Sequence, residues 1–585
     1  MLRSVQDSGD SSEEAPLRYH ALACDYDGTL ASHGRVDDAT LAALERVRTS
    51  RRKLILVTGR QLADLREVFP RLDLFDRVVV ENGAVLYRPS DRLERRLAEP
   101  PPEAFVDALR QRKVSPVSVG RVIVATWVPH ETAVLAAIHE LGLELQVIFN
   151  KGAVMVLPSG VNKATGMDAA LLELGLSRHE TVGVGDAEND HAFLARCECS
   201  VAVANALEPL KERADFVTTG ERGAGVTELI GHLVESDLAE LEPRLGRHEI
   251  ALGTAGAEEV RLPPYGVNLL LAGTSGSGKS TFATGLLERL AEQDYQFCVV
   301  DPEGDYEGFQ DAVVLGDADR APLVKEVIEL LDRPDRNAVV NLLAVGMEDR
   351  PGFFDDLFAA LLELRSRTGR PHWIVIDETH HLLPASWTPT VRTPAERPHG
   401  LLLITVHPDK VARLVLSAVD LIIAIGKEPA ETLRMFAATL GQPVPSVAPG
   451  GLATGEAIAW WRQPPRDPVT FRSIPPRAER RRHIRKYAEG ELGKDRSFYF
   501  RGADGRLNLR AQNLQVFLQL ADGVDDETWH YHLGRGDMSR WMREIIKDTE
   551  LADEVERIER ASGLSARESR ERLREQVEER YTGSA

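Results

Sequence analysis

Carboxylates that could take part in phosphoryl chemistry follow two apolar segments in the first third of the chain. Residues 19–24 are followed by Asp25-Tyr26-Asp27-Gly28-Thr29, and residues 181–184 by Gly185-Asp186-Ala187-Glu188-Asn189-Asp190. Such acids can attack phosphorus, move a proton or bind Mg²⁺ through oxygen. A single Asp-x-Asp is most often a solvated turn, so the second acidic segment is what favours a chemical role.

Thr58 and Lys163 supply complementary groups. Thr58 begins Thr58-Gly59-Arg60 after the apolar residues 54–57, and Lys163 precedes a helical pattern at about 164–174. A hydroxyl and an ammonium can bind phosphoryl oxygens and balance their charge. The alternation of apolar segments with helical patterns indicates a parallel α/β sheet, whose functional residues lie at the carboxyl ends of its strands. We therefore expect all four segments at one edge of a sheet.

A phosphate-binding loop stands near the middle of the chain. Residues 273–280 fit GxxxxGK[ST], between an apolar run at 267–272 and a helical pattern at 282–290. Backbone N–H groups of such a loop bind phosphate oxygens, its lysine reaches the terminal phosphates, and the next hydroxyl binds Mg²⁺. The residues expected to bind nucleotide are Gly273, Thr274, Ser275, Gly276, Ser277, Gly278, Lys279, Ser280 and Thr281. A glycine-rich turn without a ligand is the disfavoured alternative, because strand, loop, lysine, hydroxyl and helix occur together.

Two acidic segments accompany this loop. Asp377 and Glu378 follow the apolar residues 373–376 in the Walker B pattern. Asp377 is expected to hold Mg²⁺ together with Ser280, and Glu378 to orient the attacking water. The segment DPEGDY at 301–306 follows another apolar run, at 296–300. Paired acids on a buried strand favour hydrolysis of a nucleoside triphosphate over phosphorylation of a small molecule.

The composition of the whole chain is that of an ordinary globular protein. It has 585 residues, of which 43% are hydrophobic, and a formal net charge of −20. The length predicts three or more domains, and the charge argues against a surface that attracts nucleic acid throughout. The four cysteines form no disulfide pattern, the N-terminus is polar, and no apolar run reaches a membrane-spanning length. These features predict a cytoplasmic protein without membrane contact.

DYDGT, VTGR, the isolated Lys163 and GDAEND resemble, in order, the four motifs of the haloacid dehalogenase superfamily of phosphatases. The VENGA segment at 80–84 is similar to the Cof-type subgroup, in which an α/β cap lies between the second and third motifs, here at about 85–157. The resemblance implies that Asp25 is a nucleophile that forms an aspartyl-phosphate and that Asp27 is the general acid and base. It further implies that Thr58 and Lys163 bind the phosphoryl group. The implied Mg²⁺ ligands are Asp25, the Asp27 carbonyl and Asp186, with Asn189 and Asp190 as supporting residues.

DPEGDY also resembles the segment after the second strand in the HerA/FtsK superfamily of ring ATPases, over about residues 249–430. The resemblance implies ATP as a ligand and, if it extends to assembly, a ring-type homo-oligomer. One departure is the strand tip Thr405-Val406-His407, where that superfamily often carries Gln. His407 either replaces that sensor or only starts a helix, and the sequence slightly favours the second interpretation.

Together these observations predict an α/β fold with two Rossmann-like parallel-sheet domains, the first with an α/β cap and the second a P-loop NTPase, followed by a mainly helical C-terminal domain. The predicted limits are a disordered tail at 1–16, a haloacid dehalogenase-like domain at 17–235, a connector with a short β segment at 236–262, the ATPase at 263–462, a linker and basic stretch at 463–486, and the helical domain at 487–585. The Glu- and Arg-rich end at 548–582 is predicted to be one helix, exposed or packed on another protomer.

Three functions fit the motifs. The preferred one is a phosphatase for a small phosphorylated metabolite, of the sugar phosphate or phosphoglycolate type, joined to an ATPase that regulates it or is regulated by it; its cofactors are Mg²⁺ and ATP. The second is a HerA-type nucleic-acid motor whose first domain acts on phosphate ends or nucleotides. The third is a phosphatase joined to a polynucleotide kinase. DPEGDY and the paired acids disfavour the third, and the acidic surface and the capped first site disfavour nucleic acid as partner.

Overall fold

A computed structural model describes residues 17–388, 398–447, 450–477, 492, 497–546, 548–561 and 563–581. The predicted tail at 1–16 and most of the basic stretch that ends at 486 lie outside these residues. Among the described helices, none combines the length and the apolar character needed to cross a membrane. Two compact units divide the chain. One contains the chain up to Ser280 and again from Arg289 to Ile474, and the other contains Thr281–Glu288 and the chain from Pro475 onward.

An eight-stranded sheet forms the body of the first domain. Its strands in chain order are β1 (Ala21–Asp25), β2 (Lys53–Val57), β3 (Arg77–Val80), β4 (Val85–Arg88), β5 (Leu93–Arg96), then β10 (Thr181–Gly185), β11 (Cys199–Ala202) and β12 (Phe216–Val217). Their spatial order is β12-β11-β10-β1-β2-β3-β4-β5, parallel from β12 to β3. The helices of this body are α1 (Asp38–Thr49), α2 (Leu62–Val68), α5 (Lys163–Leu174), α6 (His191–Arg196), α7 (Glu208–Lys211) and α8 (Arg222–Ser236). The strands of the core are buried on both faces, as expected of a sheet covered by helices.

A smaller α/β layer forms the cap. It contains a four-stranded sheet in the order β6-β7-β9-β8, with β6 (Ser118–Val119), β7 (Val124–Trp127), β8 (Leu145–Asn150) and β9 (Ala153–Pro158), and the helices α3 (Glu103–Gln111) and α4 (Glu131–Glu140). The prediction that the cap begins at about residue 85 needs correction. Antiparallel pairing joins β4 to β3 and β5 to β4, so residues 85–96 extend the body sheet. The cap has its own apolar core, from Phe105 to Val156.

The ATPase domain is built on an eleven-stranded sheet. Its strands are β13 (Ile250–Ala255), β14 (Glu258–Leu262), β15 (Leu269–Gly273), β16 (Phe297–Asp301), β17 (Val313–Leu315), β18 (Ala338–Asn341), β19 (Trp373–Ile376), β20 (Leu401–Thr405), β21 (Leu421–Ile425), β22 (Glu456–Trp461) and β23 (Val469–Ser473). The order β21-β15-β20-β19-β16-β18-β17 is parallel throughout. The helices in this part of the chain are α9 (Lys279–Glu292), α10 (Val324–Leu331), α11 (Arg350–Thr368), α12 (Thr379–Leu382), α13 (Arg413–Ser417) and α14 (Pro429–Leu440).

Two segments predicted to be connectors belong to this sheet. The short β segment at 236–262 forms the hairpin β13–β14, and β13 pairs with β23. Strand β23 lies inside the predicted linker at 463–486 and pairs with β22. The prolines around residues 464–476 led to the linker prediction, but Val469–Ser473 lies between them and pairs at the antiparallel side of the sheet.

The described part of the C-terminal domain is mainly helical. It contains a hairpin of Phe498–Phe500 and Leu509–Ala511, the α-helices Leu514–Gly523, Asp526–Arg535, Asp537–Trp541, Thr549–Arg560 and Ala566–Tyr581, and a π-helix at Met542–Ile546. The single helix predicted at 548–582 is wrong. Gly563 has a φ of +90°, and Ser565 exchanges hydrogen bonds with Glu568 in a capping box that starts a second helix. Leu573 and Val577 of that helix are buried in the domain's own core.

Buried polar side chains join the first domain to the ATPase domain. Glu198 accepts hydrogen bonds from His179 Nδ1 at 2.8 Å and from the Tyr295 hydroxyl at 3.0 Å, and it lies 3.4 Å from Arg18. The rings of His179 and Tyr295 stack with their centroids 3.6 Å apart. Burial raises the pKa of Glu198, but the bond from His179 and the nearby cations outweigh burial and lower it to about 2. Glu198 therefore remains ionised at the contact.

We expect acid to weaken this contact. Because the pKa of Glu198 is about 2 in the fold and 4.5 ordinarily, its stabilising contribution is complete above pH 4.5 and is lost as the pH falls through about 2. The shift corresponds to about 3 kcal/mol. In urea unfolding at a series of pH values, Glu198→Gln should be less stable at pH 7 and should lose this part of the acid dependence. The exposed Glu208→Gln is the control, and an acid dependence that is equal in wild type and Glu198→Gln contradicts the assignment.

Candidate active sites

The first acidic cluster forms where neighbouring strands end. Strand β1 pairs with β10 on one side and with β2 on the other, and Asp25, Asp186 and Thr58 stand at or directly after the carboxyl ends of these strands. Oxygens of Asp25, Asp186 and Asp190 lie within 4.8 Å of one another. The predicted convergence of these segments at one edge of the sheet is thus present.

Helix α5 brings Lys163 into the same cluster. Asn162 caps the helix by accepting from the amides of Ala164 and Thr165, so Lys163 is the first helical residue and not a residue before the helix. The close approach depends on Gly83, because a Cβ there would lie 1.9 Å from the Asn162 carbonyl oxygen. Lys163 Nζ lies 2.5 Å from Asp25 Oδ1 and 2.6 Å from Asp190 Oδ1. The two carboxylates compensate a buried ammonium at a helix N-terminus, where the backbone disfavours positive charge.

Burial and crowding set the electrostatics of this cluster. Burial and then the charge of Asp190 raise the pKa of Asp25 to about 7, against the opposing effect of Lys163. Burial also raises the pKa of Asp186. Carboxylates held this close at raised pKa attract a cation, and an all-oxygen donor set suits Mg²⁺. The residues present therefore fit the implied metal.

Asp190 has a supporting place in this arrangement. Its Oδ2 accepts from the amides of Asp186 and Ala187 at 2.9 Å each, while its Oδ1 accepts from Lys163. Because its two oxygens accept three hydrogen bonds from the chain, the geometry favours Asp190 as the residue that positions Asp186 and Lys163. Asp186 accepts two, from the Thr29 hydroxyl and from Lys151, and Asp25 accepts one, from Lys163, so these two carboxylates have more oxygen capacity left for a metal.

Asp27 and Thr58 are the remaining predicted residues of the first site. Asp27 forms a bidentate ion pair with Arg60, with distances of 2.6 Å to Nε and 2.8 Å to Nη2. The role of Arg60 was left open by the sequence, and the structure makes it the partner of the predicted acid and base. Thr58 is buried, and its hydroxyl accepts from the Arg60 amide at 3.2 Å.

Sequence reasoning used Glu81 only as part of a family pattern and missed its contacts. Its carboxylate accepts three amides of the chain entering the cap, from Arg121 and Val122 at 2.8 Å and from Ile123 at 2.9 Å. Its own amide donates to the Arg60 carbonyl at 2.8 Å. Glu81 and Asn82 both have a positive φ, of 52° and 55°, which is strained for residues other than glycine. This turn fixes the cap connection to the loop that carries Thr58 and Arg60.

We expect Glu81→Ala to destabilise the chain by about 2–4 kcal/mol, because it leaves buried amides without an acceptor. Thermal melts should show the loss, and amide hydrogen exchange should rise at residues 121–123. The exposed Glu99→Ala should leave both unchanged. Normal protection of residues 121–123 in Glu81→Ala contradicts the proposed anchoring role.

The second site is formed by the glycine-rich loop after β15. Gly276 and Gly278 have φ angles of 71° and 99°, which allow the loop to turn its amides inward. Lys279 Nζ donates to the Thr274 carbonyl at 3.2 Å, and the Ser280 hydroxyl donates to Asp305 Oδ2 at 3.1 Å. The loop residues predicted to bind nucleotide are thus brought together at the edge of the sheet.

DPEGDY is organised by its first residue. Asp301 is fully buried, and its carboxylate accepts from the amides of residues 303–306 at 2.8–3.2 Å. This turn places Asp305 beside Ser280, a contact that the sequence analysis did not foresee.

The paired acids follow β19. Burial raises the pKa of Asp377 to about 7. The hydrogen bond from the Glu378 amide opposes this rise, and the charge of the Glu378 side chain adds to it. Burial lowers the pKa of Lys279, although Glu378 and Asp377 oppose this. Glu378 has a left-handed backbone with a φ of 41°, and its Oε2 accepts no hydrogen bond from the described residues, although His380 Nδ1 lies 3.3 Å away. Backbone strain and an oxygen without a hydrogen bond are features expected of a side chain that binds a ligand or water, and Glu378 has both.

The strand tip between the loop and the acids contains Thr405. Strand β20 lies between β15 and β19, so its tip faces both segments. Thr405 Oγ1 lies 3.1 Å from His380 Nδ1 and accepts from the His407 amide at 3.0 Å. His380 Nδ1 is also 3.3 Å from Glu378 Oε2. Thr405 and His380 therefore link the end of strand β20 to Glu378 more directly than the His407 side chain does.

The fold and these arrangements define an α/β domain with a cap and a cluster of aspartates at the carboxyl edge of its sheet, joined to a P-loop domain. Residues 22–126 and 134–230 match the family of haloacid dehalogenase-like hydrolases, and residues 268–355 match the family described as Helicase HerA, central domain. The chain belongs to the haloacid dehalogenase-like hydrolases and carries the HerA central domain in the same polypeptide.

Curated relatives match the first domain over nearly their whole length. "Phosphoglycolate phosphatase" of Halorubrum lacusprofundi is 30% identical over 222 residues, which is 36% of this chain and 96% of the relative. "Phosphoglycolate phosphatase 2" of Saccharolobus solfataricus is 27% identical over 223 residues, 37% of this chain and 94% of the relative. A solved haloacid dehalogenase-like hydrolase from Bacteroides thetaiotaomicron is 18% identical with a TM-score of 0.33, covering 37% of this chain and 99% of its own.

Proposed function

We propose that the first domain is a Mg²⁺-dependent phosphatase for small phosphate esters of the phosphoglycolate or sugar phosphate type, and that the second domain binds and hydrolyses ATP. The convergence of Asp25, Lys163 and Asp186 at one sheet edge carries the proposal. The names of the relatives support phosphoglycolate as the first substrate to test.

The proposed reaction begins at Asp25. Its carboxylate oxygen attacks phosphorus, the bond from phosphorus to the ester oxygen breaks, and Asp27 gives that oxygen a proton. Asp27 must first leave its ion pair with Arg60 and take up a proton from the solvent, and the second step returns that proton to it. Water then attacks the aspartyl-phosphate, Asp27 takes its proton, and phosphate and free Asp25 result. Lys163 and Thr58 bind the phosphoryl oxygens during both steps.

A divalent cation would be held by the Asp25 and Asp186 carboxylates and the Asp27 carbonyl. When bound, it neutralises the negative charge shared by phosphate and carboxylates. The cap restricts the substrate, because Met155 of β9 reaches over the loop that carries Thr58, with its sulfur 3.7 Å from where a Cβ of Gly59 would lie. A covered site favours small esters over polymers.

A screen of phosphate esters, run with and without ATP on the full chain, tests this proposal. We expect Mg²⁺-dependent release of phosphate from phosphoglycolate or a sugar phosphate, and none from polymer ends. Absence of release from every ester at any Mg²⁺ concentration would sink the phosphatase assignment. Release that changes with ATP would show that the domains communicate.

The match to the HerA central domain supports a second candidate function, that of a nucleic-acid-dependent ATPase that works as a ring-type homo-oligomer. The net charge of −20 weighs against it. ATP hydrolysis measured with and without duplex DNA at two salt concentrations separates the two: stimulation that salt removes favours the motor. Equal rates favour the phosphatase with an attached ATPase.

A further inference from the structure

The tip of a cap hairpin delivers a lysine into the first site. Lys151 Nζ donates to the backbone carbonyl of Asp27 at 2.8 Å and to Asp186 Oδ2 at 2.9 Å. Lys151 belongs to the two-residue turn between β8 and β9, because Asn150 pairs with Ala153. The ammonium therefore bridges the cap to two oxygens of the body.

The turn is strained for the residue it holds. Lys151 and Gly152 have φ angles of 49° and 87°, the pattern of a turn whose first central position favours glycine, asparagine or aspartate. A lysine in a left-handed conformation costs free energy, and such outliers cluster at functional sites. The side chain is 50% exposed, so it is not a buried structural ion pair.

Lys151 binds the Asp27 carbonyl oxygen and one oxygen of the Asp186 carboxylate, and both of these groups are assigned to the divalent cation under the proposed function. One position cannot hold the ammonium and the cation together. Gly28 confirms how crowded this point is, since a Cβ there would lie 2.3 Å from Asp186 Oδ2 and 2.8 Å from Lys151 Nζ.

We propose that Lys151 is a built-in competitor of the divalent cation: it closes the cap over the metal-free site, and metal binding displaces it. The proposal rests on the proposed function, because it requires the Asp25–Asp186 cluster to bind a metal. Binding of the metal is then coupled to release of the hairpin tip from the body of the domain. The affinity for the cation is then set partly by a residue of the cap.

Metal titration of the full chain tests this competition. Mn²⁺ binding followed by electron paramagnetic resonance, with the component lost in Asp186→Asn taken as the site, should be tighter in Lys151→Met than in wild type. If Lys151 holds the cap closed in nine-tenths or more of the metal-free molecules, its removal raises the affinity for Mn²⁺ at least about tenfold. Lys151→Arg should stay close to wild type, and so should Lys113→Met, which removes an exposed lysine of the same cap.

Salt separates direct competition from general repulsion of the cation. In 0.5 M KCl the screening length is about 4 Å, so a gain from removing a distant charge fades, whereas a gain from removing the bound ammonium persists. Amide exchange at residues 150–153 should rise when Mg²⁺ is added to wild type and should be high in Lys151→Met without metal. Equal Mn²⁺ affinity in wild type and Lys151→Met, a gain abolished by salt, or exchange that Mg²⁺ leaves unchanged overturns the inference. Absence of any component sensitive to Asp186→Asn overturns the proposed metal site itself.

Discussion

We expect Asp25→Asn to lower phosphate release by at least about 10⁴-fold while ATP hydrolysis continues at the wild-type rate. The amide that replaces the carboxylate is a poor nucleophile for phosphorus, and Asp25 lies next to both Lys163 and Asp186 while accepting fewer hydrogen bonds from the chain than Asp190 does. Steady-state release of phosphate from the best ester gives the first rate, and ATP turnover on the same sample gives the second. Rapid acid quench with labelled ester should trap labelled protein only in the wild type.

The Asp25→Asn variant keeps a compensated lysine, because Asp190 still lies 2.6 Å from Lys163 Nζ. We therefore expect it to fold, which a thermal melt checks. Asp38→Asn, at an exposed helix start, is the matched control and should release phosphate normally. Substantial turnover by a folded Asp25→Asn would show that another group attacks phosphorus.

The sequence was enough to predict the residues that meet at strand ends. In a parallel sheet, a carboxylate directly after an apolar strand lies at the carboxyl edge of the sheet. Asp25, Asp186 and Asp377 were found this way, and the structure puts each of them at the end of its strand or directly after it. Ser280 was found from the phosphate-loop pattern, and it lies in the first turn of α9. Periodicity and turn position carry this information locally.

Residues delivered by tertiary packing were not predictable. Lys151 reaches Asp186 from a hairpin tip, and no spacing in the sequence relates residue 151 to residue 186. The three amides that bind Glu81 are 40–42 residues away in the chain. Strand β23 pairs with β13, which lies more than 200 residues earlier in the chain. Such contacts depend on how layers pack, which local patterns do not encode.

The interface between the domains lies at the starting ends of the strands that lead to the two sites. Glu180 directly precedes β10, His372 directly precedes β19, and the two side chains form a buried hydrogen bond. Strands of four or five residues rise about 15 Å, so each set of carboxylates predicted to be catalytic lies about that far from the interface. Direct electrostatic influence of one site on the other is small at such separations. Any communication must pass through movement of the strands.

Lys279→Ala should therefore lower ATP hydrolysis by at least about 100-fold while phosphate release from the ester continues. Lys279 is the ammonium of the phosphate loop, and Asp377 and Glu378 lie close enough to act on its charge. ATP turnover and ester hydrolysis are measured on one preparation, with the exposed Lys325→Ala as control. Since Asp25→Asn removes only the other activity, the two variants form a reciprocal pair. If a folded Lys279→Ala or Asp25→Asn loses both activities, the two centres do not work independently, and the contact between Glu180 and His372 becomes the first place to look for their coupling.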